Sequence, residues 1–494
     1  MISVPAEAAR NSKSAAENNL TFPIRQAVFY TLYQKNSLPG GAESCRGNLV
    51  MKDMTAGNPV KLILFFSVPL LLANICQQCY NLADTFIVGR YLGKAALAAV
   101  GGASGSLLFL VFGFFFGLGG GLTVITAQRY GAKDYDNVRR SIAASLVICT
   151  AITVPSLLMF GFASEKLLEL MNTPDDVIKN ASVYLKISFI FGFANIMQTM
   201  LNSIQRSLGD SKSPLYFLAL SNFLNIGTNL YLVLVAGWGV SGVAWATVFS
   251  QTVAVVCFVL YMAKKNPYMP FKLEDWKFDF KFYLEHLKVG LPMAFQFAIT
   301  SVGGVVLQRA VNSFGSDAVG GISAVTPLNS VTFMPLFSIG IALSTYVAQN
   351  YGAKKFDRVC SGTSKSLVMT LVYTFITSVL MYCFASNLVE IFLSRTAENA
   401  QAIRYGIHFL RIQAMFYILL GFILVYRNAL QGMGFPFYPF MAGVVEMFMR
   451  IFGALALSVW FGFTGAALSH PLAWVGSAVL LTWDYRRKIA KLRF

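Results

Sequence analysis

The chain has 494 residues, of which 56% are hydrophobic and only 12% are charged, with a net charge of +17 and a mean hydropathy of +0.60. A soluble domain carries about 25% charged residues, so this composition excludes a water-soluble globule and predicts an integral membrane protein. The basic residues lie in short loops and in the tail "RRKIAKLRF", not in a basic helix or patch, so we predict no nucleic-acid partner.

The first fifty residues differ from the rest of the chain. They are polar and lack the charged start and apolar core of a signal peptide. "MKDMTAGNPVKLILFFSVPLLL", from Met51, reads as a natural beginning. Residues 1–50 are therefore predicted to be a disordered extension or the product of an upstream start codon, and the sequence leaves both open.

Long apolar runs between polar breaks predict twelve membrane-spanning helices, numbered here spans 1 to 12. Together they predict an all-α polytopic membrane protein. The first six lie near residues 60–88, 97–126, 139–162, 182–204, 214–236 and 240–263. The second six lie near residues 288–312, 319–347, 361–385, 407–429, 439–460 and 466–483.

The second six spans repeat the first six. "AQRYGAKDYDNVRRS", from Ala127, recurs as "AQNYGAKKFDRVCSG", from Ala348, and we call these stretches the first and second YGA loops. Pro69 recurs as Pro292, which gives a period of about 223 residues. "SLGDSKSP", from Ser207, likewise recurs as "GMGFPFYP". Because six is even, both copies enter the membrane from the same side, which predicts two lobes related by a pseudo-two-fold axis along the membrane normal.

The loop charges predict an orientation. Lys and Arg concentrate in the loops after spans 2, 6 and 8, whereas the loop after span 3 is acidic. The positive-inside rule places the basic loops and both termini in the cytoplasm. We predict that the protein is a monomer in the lipid bilayer of the plasma membrane. The predicted domains are the extension 1–50, an N-lobe 51–263, an inter-lobe loop 264–287, a C-lobe 288–485 and a basic tail 486–494.

Two carboxylates fall inside the predicted spans, Asp84 in span 1 and Glu446 in span 11. An acid at the centre of a membrane helix costs about 2.5–3.5 kcal/mol, so each invites a functional interpretation. Arg450 lies one turn after Glu446, which predicts a structural ion pair or a polar pair lining a cleft.

Asp84 shares one helix face with Gln77, Tyr80 and Asn81, because these residues recur at intervals of three and four. Burial makes the charged form of an acid costly, so Asp84 could take up a proton on one side and release it on the other, or hold Na⁺ with neutral oxygen ligands. The alternative is that Asp84 has no coupling role and lies near the end of its helix, where its carboxylate reaches the membrane interface. Its predicted polar neighbours are Asn202 in span 4, Asn222, Asn225 and Asn229 in span 5, and Thr247 in span 6.

Other signals are absent from the sequence. It contains no nucleotide-binding motif and no cluster with metal-ligand spacing, so we predict no cofactor, no resident metal and no enzymatic activity. Any uphill transport would then draw on a gradient of H⁺ or Na⁺. Gly113, Gly117 and Gly121 in span 2 recur every four residues and predict close contact with another helix.

At these residues the sequence resembles the multidrug and toxic compound extrusion (MATE) family, over about 51–487. The resemblance is carried by Pro69 with Asp84 fifteen residues later, by "DTFIVGRYLGKAALAAVG", by both YGA loops and by "LNSIQRSLGDSKSP". The family implies a secondary active exporter of small-molecule substrates, organic cations and drugs, by antiport against H⁺ or Na⁺. It also implies two V-shaped lobes.

The resemblance assigns roles to individual residues. Asp84 matches the coupling acid of span 1, Pro69 its bending proline, and Tyr80 the tyrosine one turn before the acid. Asn225 and Thr247 match polar residues of the cation site.

The sequence also departs from the family pattern. Asn229 stands where many members have a second aspartate. The acids that the NorM-like branch carries in spans 7 and 10 are missing, which favours the DinF-like branch. A lipid-linked saccharide flippase of the same superfamily stays an alternative, with about fourteen spans and a basic cleft expected, as does a membrane receptor or channel without transport activity.

Overall fold

A computed structural model describes residues 51–171, 173–270 and 272–492. This part of the chain consists of helices and turns and contains no strand. The predicted extension 1–50 lies outside the described residues. Ten of the helices are long and apolar enough to cross a membrane, and a bent pair makes an eleventh span. Phe280–Asn312, with 33 residues, is the twelfth long helix, and at 1.5 Å per residue it exceeds the thickness of a bilayer core of about 30 Å.

The first six spans correspond closely to the predicted ones. Span 4 consists of two helices bent by 48°, and π-helical turns at Val88–Leu92 and Tyr231–Val235 end spans 1 and 5. The helices of spans 1 to 6 are Pro59–Ile87; Gly93–Gly101 with Ala103–Gly131; Tyr135–Leu170; Asp175–Ile190 with Phe193–Ser207; Lys212–Leu230; and Gly239–Lys265.

The second half repeats this order after a short 3₁₀ turn at Leu273–Trp276. Spans 7 and 12 are longer than predicted, because their charged ends remain helical beyond the apolar run. The helices of spans 7 to 12 are Phe280–Asn312; Ser316–Gly352; Phe356–Cys383 followed by Ala385–Glu390; Ala400–Gly432; Phe437–Phe452 with the π turn Gly453–Leu457 and Ser458–Phe461; and Phe463–Ala467 with Ser469–Leu492.

Span 2 of the first half packs closely on span 7 of the second half. A Cβ added at Gly117 would lie 2.5 Å from the carbonyl oxygen of Met293, and one added at Gly121 would lie 2.7 Å from Cα of Gly290. At Gly113 an added Cβ would meet no described atom within 4 Å. The prediction of a close glycine contact therefore holds for Gly117 and Gly121 but not for Gly113.

The two YGA loops contact each other reciprocally. A Cβ added at Gly131 of the first loop would lie 1.9 Å from the carbonyl oxygen of Gln349 in the second. A Cβ at Gly352 of the second loop would lie 1.8 Å from the carbonyl oxygen of Gln128 in the first. This contact, which we call the YGA clasp, has the symmetry of a two-fold axis. The repeated motif is thus one of the surfaces by which the two halves meet.

The glutamines of the clasp also bond across the halves in equivalent ways. The Gln128 side chain donates from Nε2 to the carbonyl oxygen of Gly432 at 3.0 Å. Gln349 donates from Nε2 to the carbonyl oxygen of Ser207, also at 3.0 Å. Ser207 and Gly432 are equivalent positions of the repeat. The two bonds therefore satisfy buried carbonyl groups at the ends of spans 4 and 10.

The segment before span 1 crosses the clasp. Its Lys52 N–H donates to the Gly209 carbonyl oxygen in the first half at 3.2 Å. The Met54 N–H donates to Oε1 of Gln349 at 3.0 Å, and Arg358 donates from Nη1 to the Gly57 carbonyl oxygen at 2.9 Å. This short segment therefore links both halves on the face that carries the clasp.

Candidate functional site

A chain of amide and hydroxyl groups connects Asp84 to spans 5 and 6. Asn229 donates from Nδ2 to Oδ1 of Asp84 at 2.6 Å and to Oδ1 of Asn225 at 2.9 Å. Asn225 donates in turn from Nδ2 to Oγ1 of Thr247 at 3.1 Å. Asn225 and Asn229 can act together because they lie one helical turn apart on the same face of span 5.

Tyr80 completes this group from the same face of span 1 as Asp84. Its side chain interacts with Thr247 and lies beside Asp84 and Tyr184. Tyr184, in the first helix of span 4, is buried, and sequence reasoning missed it. A single tyrosine in an apolar helix carries no motif or charge that would have indicated its position.

One polar atom beside Asp84 is left without a partner. Asn225 and Asn229 are 2% and 0% exposed. Oδ1 of Asn229 is buried and accepts no hydrogen bond from any described residue. A buried acceptor without a donor costs about 1–3 kcal/mol. A protonated Asp84 carries one O–H donor, and a bound cation would also satisfy the oxygen.

Asp84 also has access to open space. A recess of about 450 Å³ lies beside it and is lined in addition by Thr85, Val88 and Lys94. Asn222, another predicted neighbour, donates instead to the Cys76 carbonyl oxygen at 3.2 Å and fastens span 5 to span 1.

Asn202 does not join the group. It lies eighteen residues beyond Tyr184 in the bent span 4, a distance of about 27 Å at 1.5 Å per residue. No described residue hydrogen-bonds its Oδ1. The structure therefore does not place Asn202 beside Asp84, because both residues lie late in spans that run in opposite directions.

Pro69 lies within the part of span 1 that packs on span 8, because Asn74 beyond it still donates a hydrogen bond to that span. Ile63 and Phe66, before the proline, belong to one hydrophobic cluster with Leu336 of span 8 and Tyr417 of span 10. The far end of the helix packs in a separate cluster with residues of spans 4 and 6. Proline inside a helix removes a backbone hydrogen bond and permits bending there. The change of neighbours thus comes beyond Asn74 and not at Pro69, and the hinge role of Pro69 stays a prediction.

Glu446 has two arginine partners instead of the one predicted. Its predicted partner Arg450 approaches with Nη2 at 3.6 Å, and Arg427 of span 10 makes a shorter ion pair. Ser477 donates to Oε1 of Glu446 at 2.8 Å. Sequence reasoning missed Arg427, although a basic residue inside a predicted span was a usable signal.

A cavity of about 90 Å³ lies between the two halves, next to the YGA clasp. Residues of spans 2, 4, 7, 8 and 10 line it, among them Ala127 and Ala348 of the two loops. This volume is smaller than the roughly 300–1,000 Å³ of a typical small-molecule site, so a larger ligand requires the halves to move apart. Its polar walls include Ser203 and Arg206 on span 4 and, facing them, Asn428 and Gln431 on span 10.

A protein-family model named MatE matches the chain twice, at residues 69–231 and 292–455. The matches begin at Pro69 and Pro292, which confirms the internal repeat and its period. Together they cover more than half of the chain.

Among curated proteins, the chain is 28% identical over 442 residues to the probable multidrug resistance protein YpnP of Bacillus subtilis, covering 88% of this chain and 96% of that protein. It is 26% identical to the probable multidrug resistance protein YoeA of the same organism, covering 90% and 97%. It is 23% identical to the multidrug export protein MepA of Staphylococcus saprophyticus, covering 84% and 90%.

Two solved structures share the fold, each with a TM-score of 0.83 and coverage of 90% of this chain and 99% of the other. One is a multidrug resistance MATE family transporter of the MOP superfamily in an outward-facing conformation, 20% identical. The other is a MOP superfamily transporter from Pyrococcus furiosus, 21% identical, described as having a binding pocket of reverse polarity that suggests a different function. They confirm the all-α architecture with two six-helix lobes.

Proposed function

Because the chain belongs to the MATE family of multidrug efflux transporters, we propose that it exports organic cations and drugs by antiport against H⁺ or Na⁺, with Asp84 as the coupling acid. The observation that carries this proposal is the pairing of Asp84 with Asn229, whose second polar atom has no partner among the described residues. The resemblance to the DinF-like branch supports a coupling site in the first half of the chain.

The proposed cycle depends on the hydrogen bonds that Asn229 can make with the ionised and with the protonated form of Asp84. The ionised Asp84 accepts a hydrogen bond from Nδ2 of Asn229. The protonated acid becomes a donor as well, and Oδ1 of Asn229 is the nearby acceptor that it would satisfy. A proton can therefore be held without creating a new unpaired group. A bound Na⁺ would instead use the oxygens of Asp84, Asn229 and Thr247.

Protonation would be transmitted to the cleft through span 1. Protonating Asp84 removes its charge and lets it donate to Oδ1 of Asn229, so one charge-assisted hydrogen bond between spans 1 and 5 becomes a pair of neutral ones. This change would alter how the far part of span 1 packs on spans 5 and 6, and Pro69 permits the helix to bend. A membrane potential of about 100 mV supplies roughly 2.3 kcal/mol per charge moved, which is comparable to the cost of an intramembrane acid.

The proposal includes the arrangement in the membrane. The YGA clasp and both termini lie in the cytoplasm of a plasma-membrane protein that functions as a monomer, as the loop charges favour. The N-lobe comprises 51–263 and the C-lobe 288–485, joined by the loop 264–287. With both loops cytoplasmic, the clasp closes the cytoplasmic side of the cleft.

The test is efflux of ethidium from proteoliposomes of the full chain, with a pH gradient and a Na⁺ gradient imposed separately. Asp84→Asn should abolish gradient-driven efflux while leaving insertion and folding intact. Asp317→Asn, at an exposed acid near the start of span 8, is the matched control and should transport normally. Wild-type rates in Asp84→Asn would refute the assignment. Absence of gradient-driven efflux in the wild type, with saccharide-lipid movement instead, would favour the flippase alternative.

A further inference from the structure

Arg206 is the one charged residue that lines the cavity between the lobes, as far as the described residues show. It belongs to the last turn of span 4 and lies partly buried. Its guanidinium donates from Nη2 to Oγ of Ser203 at 2.7 Å and stands 6.0 Å from the centre of the Phe116 ring. Both neighbours are uncharged, so they leave its positive charge uncompensated.

Within the described chain, no carboxylate forms an ion pair with Arg206, although its side chain is partly removed from water. A buried charge without a counter-charge is costly, because water is replaced by a less polar environment. A guanidinium carries five N–H donors in a planar fork, and Ser203 accepts only one of them. The remaining donors match two oxygens of a carboxylate, phosphate or sulfonate.

The repeat provides a comparison inside the same molecule. Ser207 and Gly432 are equivalent, so Arg206 corresponds to Gln431 and Ser203 to Asn428, and all four residues line the cavity. Gln431 donates from Nε2 to Oε1 of Gln296 at 2.7 Å and is thereby satisfied within its own lobe. The second lobe thus builds the equivalent wall with a neutral side chain. A charge at this place is not required for a span of this kind to fold.

We propose that Arg206 binds the anionic group of a ligand in the cavity between the lobes. The substrates of the exporter then include amphiphiles with one carboxylate, phosphate or sulfonate, in addition to organic cations. The apolar part of such a ligand would lie against Phe116, Met293 and Ile341, which line the same cavity. This inference rests on the proposed export function for its biological meaning, but binding itself needs no gradient.

The test compares two probes that differ only in the negative group, dansylglycine and its uncharged amide. Fluorescence titration of the full chain in nanodiscs of phosphatidylcholine should show dansylglycine binding about 10- to 100-fold more tightly, as expected for charge-assisted hydrogen bonds. Arg206→Gln, which copies the residue of the second lobe, should abolish this preference and leave the affinity for the amide unchanged. Arg206→Lys should retain part of the preference, because it keeps the charge but not the fork.

Arg404→Gln is the matched control, since it removes an exposed arginine outside the cavity, and it should keep the full preference. Equal affinities for the two probes in the wild type would overturn the proposal, even if Arg206→Gln failed to fold. An undiminished preference in a folded Arg206→Gln protein would also overturn it.

The lipid composition of the nanodiscs distinguishes two sources of the anionic group. If the natural ligand is an anionic lipid head group, nanodiscs with phosphatidylglycerol should weaken dansylglycine binding to the wild type. If it is a soluble anion, the lipid should have no effect, and both results support an anion on Arg206. Loss of ethidium efflux in Asp84→Asn together with equal probe affinities would leave the export function standing and refute only this inference.

Discussion

Replacing Gly131 with alanine should separate the two lobes at the YGA clasp. The new Cβ would lie 1.9 Å from the carbonyl oxygen of Gln349, whereas ordinary contact begins at 3.4 Å. The backbones must therefore move apart by about 1.5 Å. Such overpacking costs about 1–3 kcal/mol. Because the cost arises only when the clasp is closed, the population should shift by about 5- to 150-fold toward conformations in which it is open.

The assay is a distance measurement between nitroxide labels at Asp136→Cys and Asp357→Cys, in a background without the native cysteines. These two exposed residues occupy equivalent places within the two YGA loops. Gly131→Ala should add a population with longer distances, and Gly352→Ala should do the same, because its Cβ would lie 1.8 Å from the Gln128 carbonyl oxygen.

Gly113→Ala is the internal control. An added Cβ at Gly113 would find no atom of the described chain within 4 Å, so its distance distribution should match that of the parent protein. Unchanged distributions in both clasp variants would refute the conclusion that the loops hold the lobes together.

Two further outcomes are expected. Glu446→Gln should leave Arg427 and Arg450 without a counter-charge and lower the free energy of unfolding by about 3–5 kcal/mol. The variant should therefore melt at a lower temperature, while transport per folded molecule is largely retained. A melting temperature equal to that of the wild type would contradict this prediction. Cysteines introduced at Lys133 and Lys354 should resist an impermeant maleimide added outside intact cells, whereas labelling of both would reverse the proposed orientation.

The face of span 1 that carries Asp84 could be predicted because helical periodicity alone determines it. Tyr80 and Asp84 are four residues apart, as are Asn225 and Asn229, and each pair must share a side of its helix. The structure brings these two faces together. Only one of the two partners of Glu446 could be predicted from the sequence. Arg450 lies one turn away in the same helix, whereas Arg427 approaches from another helix.

Asn202 shows why residue type alone does not locate a site. It is polar and lies in a predicted span, but it stands about five helical turns beyond Tyr184, the residue of span 4 that lies beside Asp84. Depth follows from where a span begins and in which direction it runs. Spans 1 and 4 run in opposite directions, so a residue late in one lies far from a residue late in the other.

The amino-acid sequence by itself determined that this is a membrane protein of two repeated halves, because hydropathy and period are properties of the chain that no packing can change. It also determined which residues share a helix face. Tertiary structure alone decided that the two YGA loops bind each other, that Arg427 joins Glu446, and that Arg206 lines the cavity between the lobes. Contacts between helices depend on their rotation and crossing angle, which many side chains set jointly, so no local pattern records them.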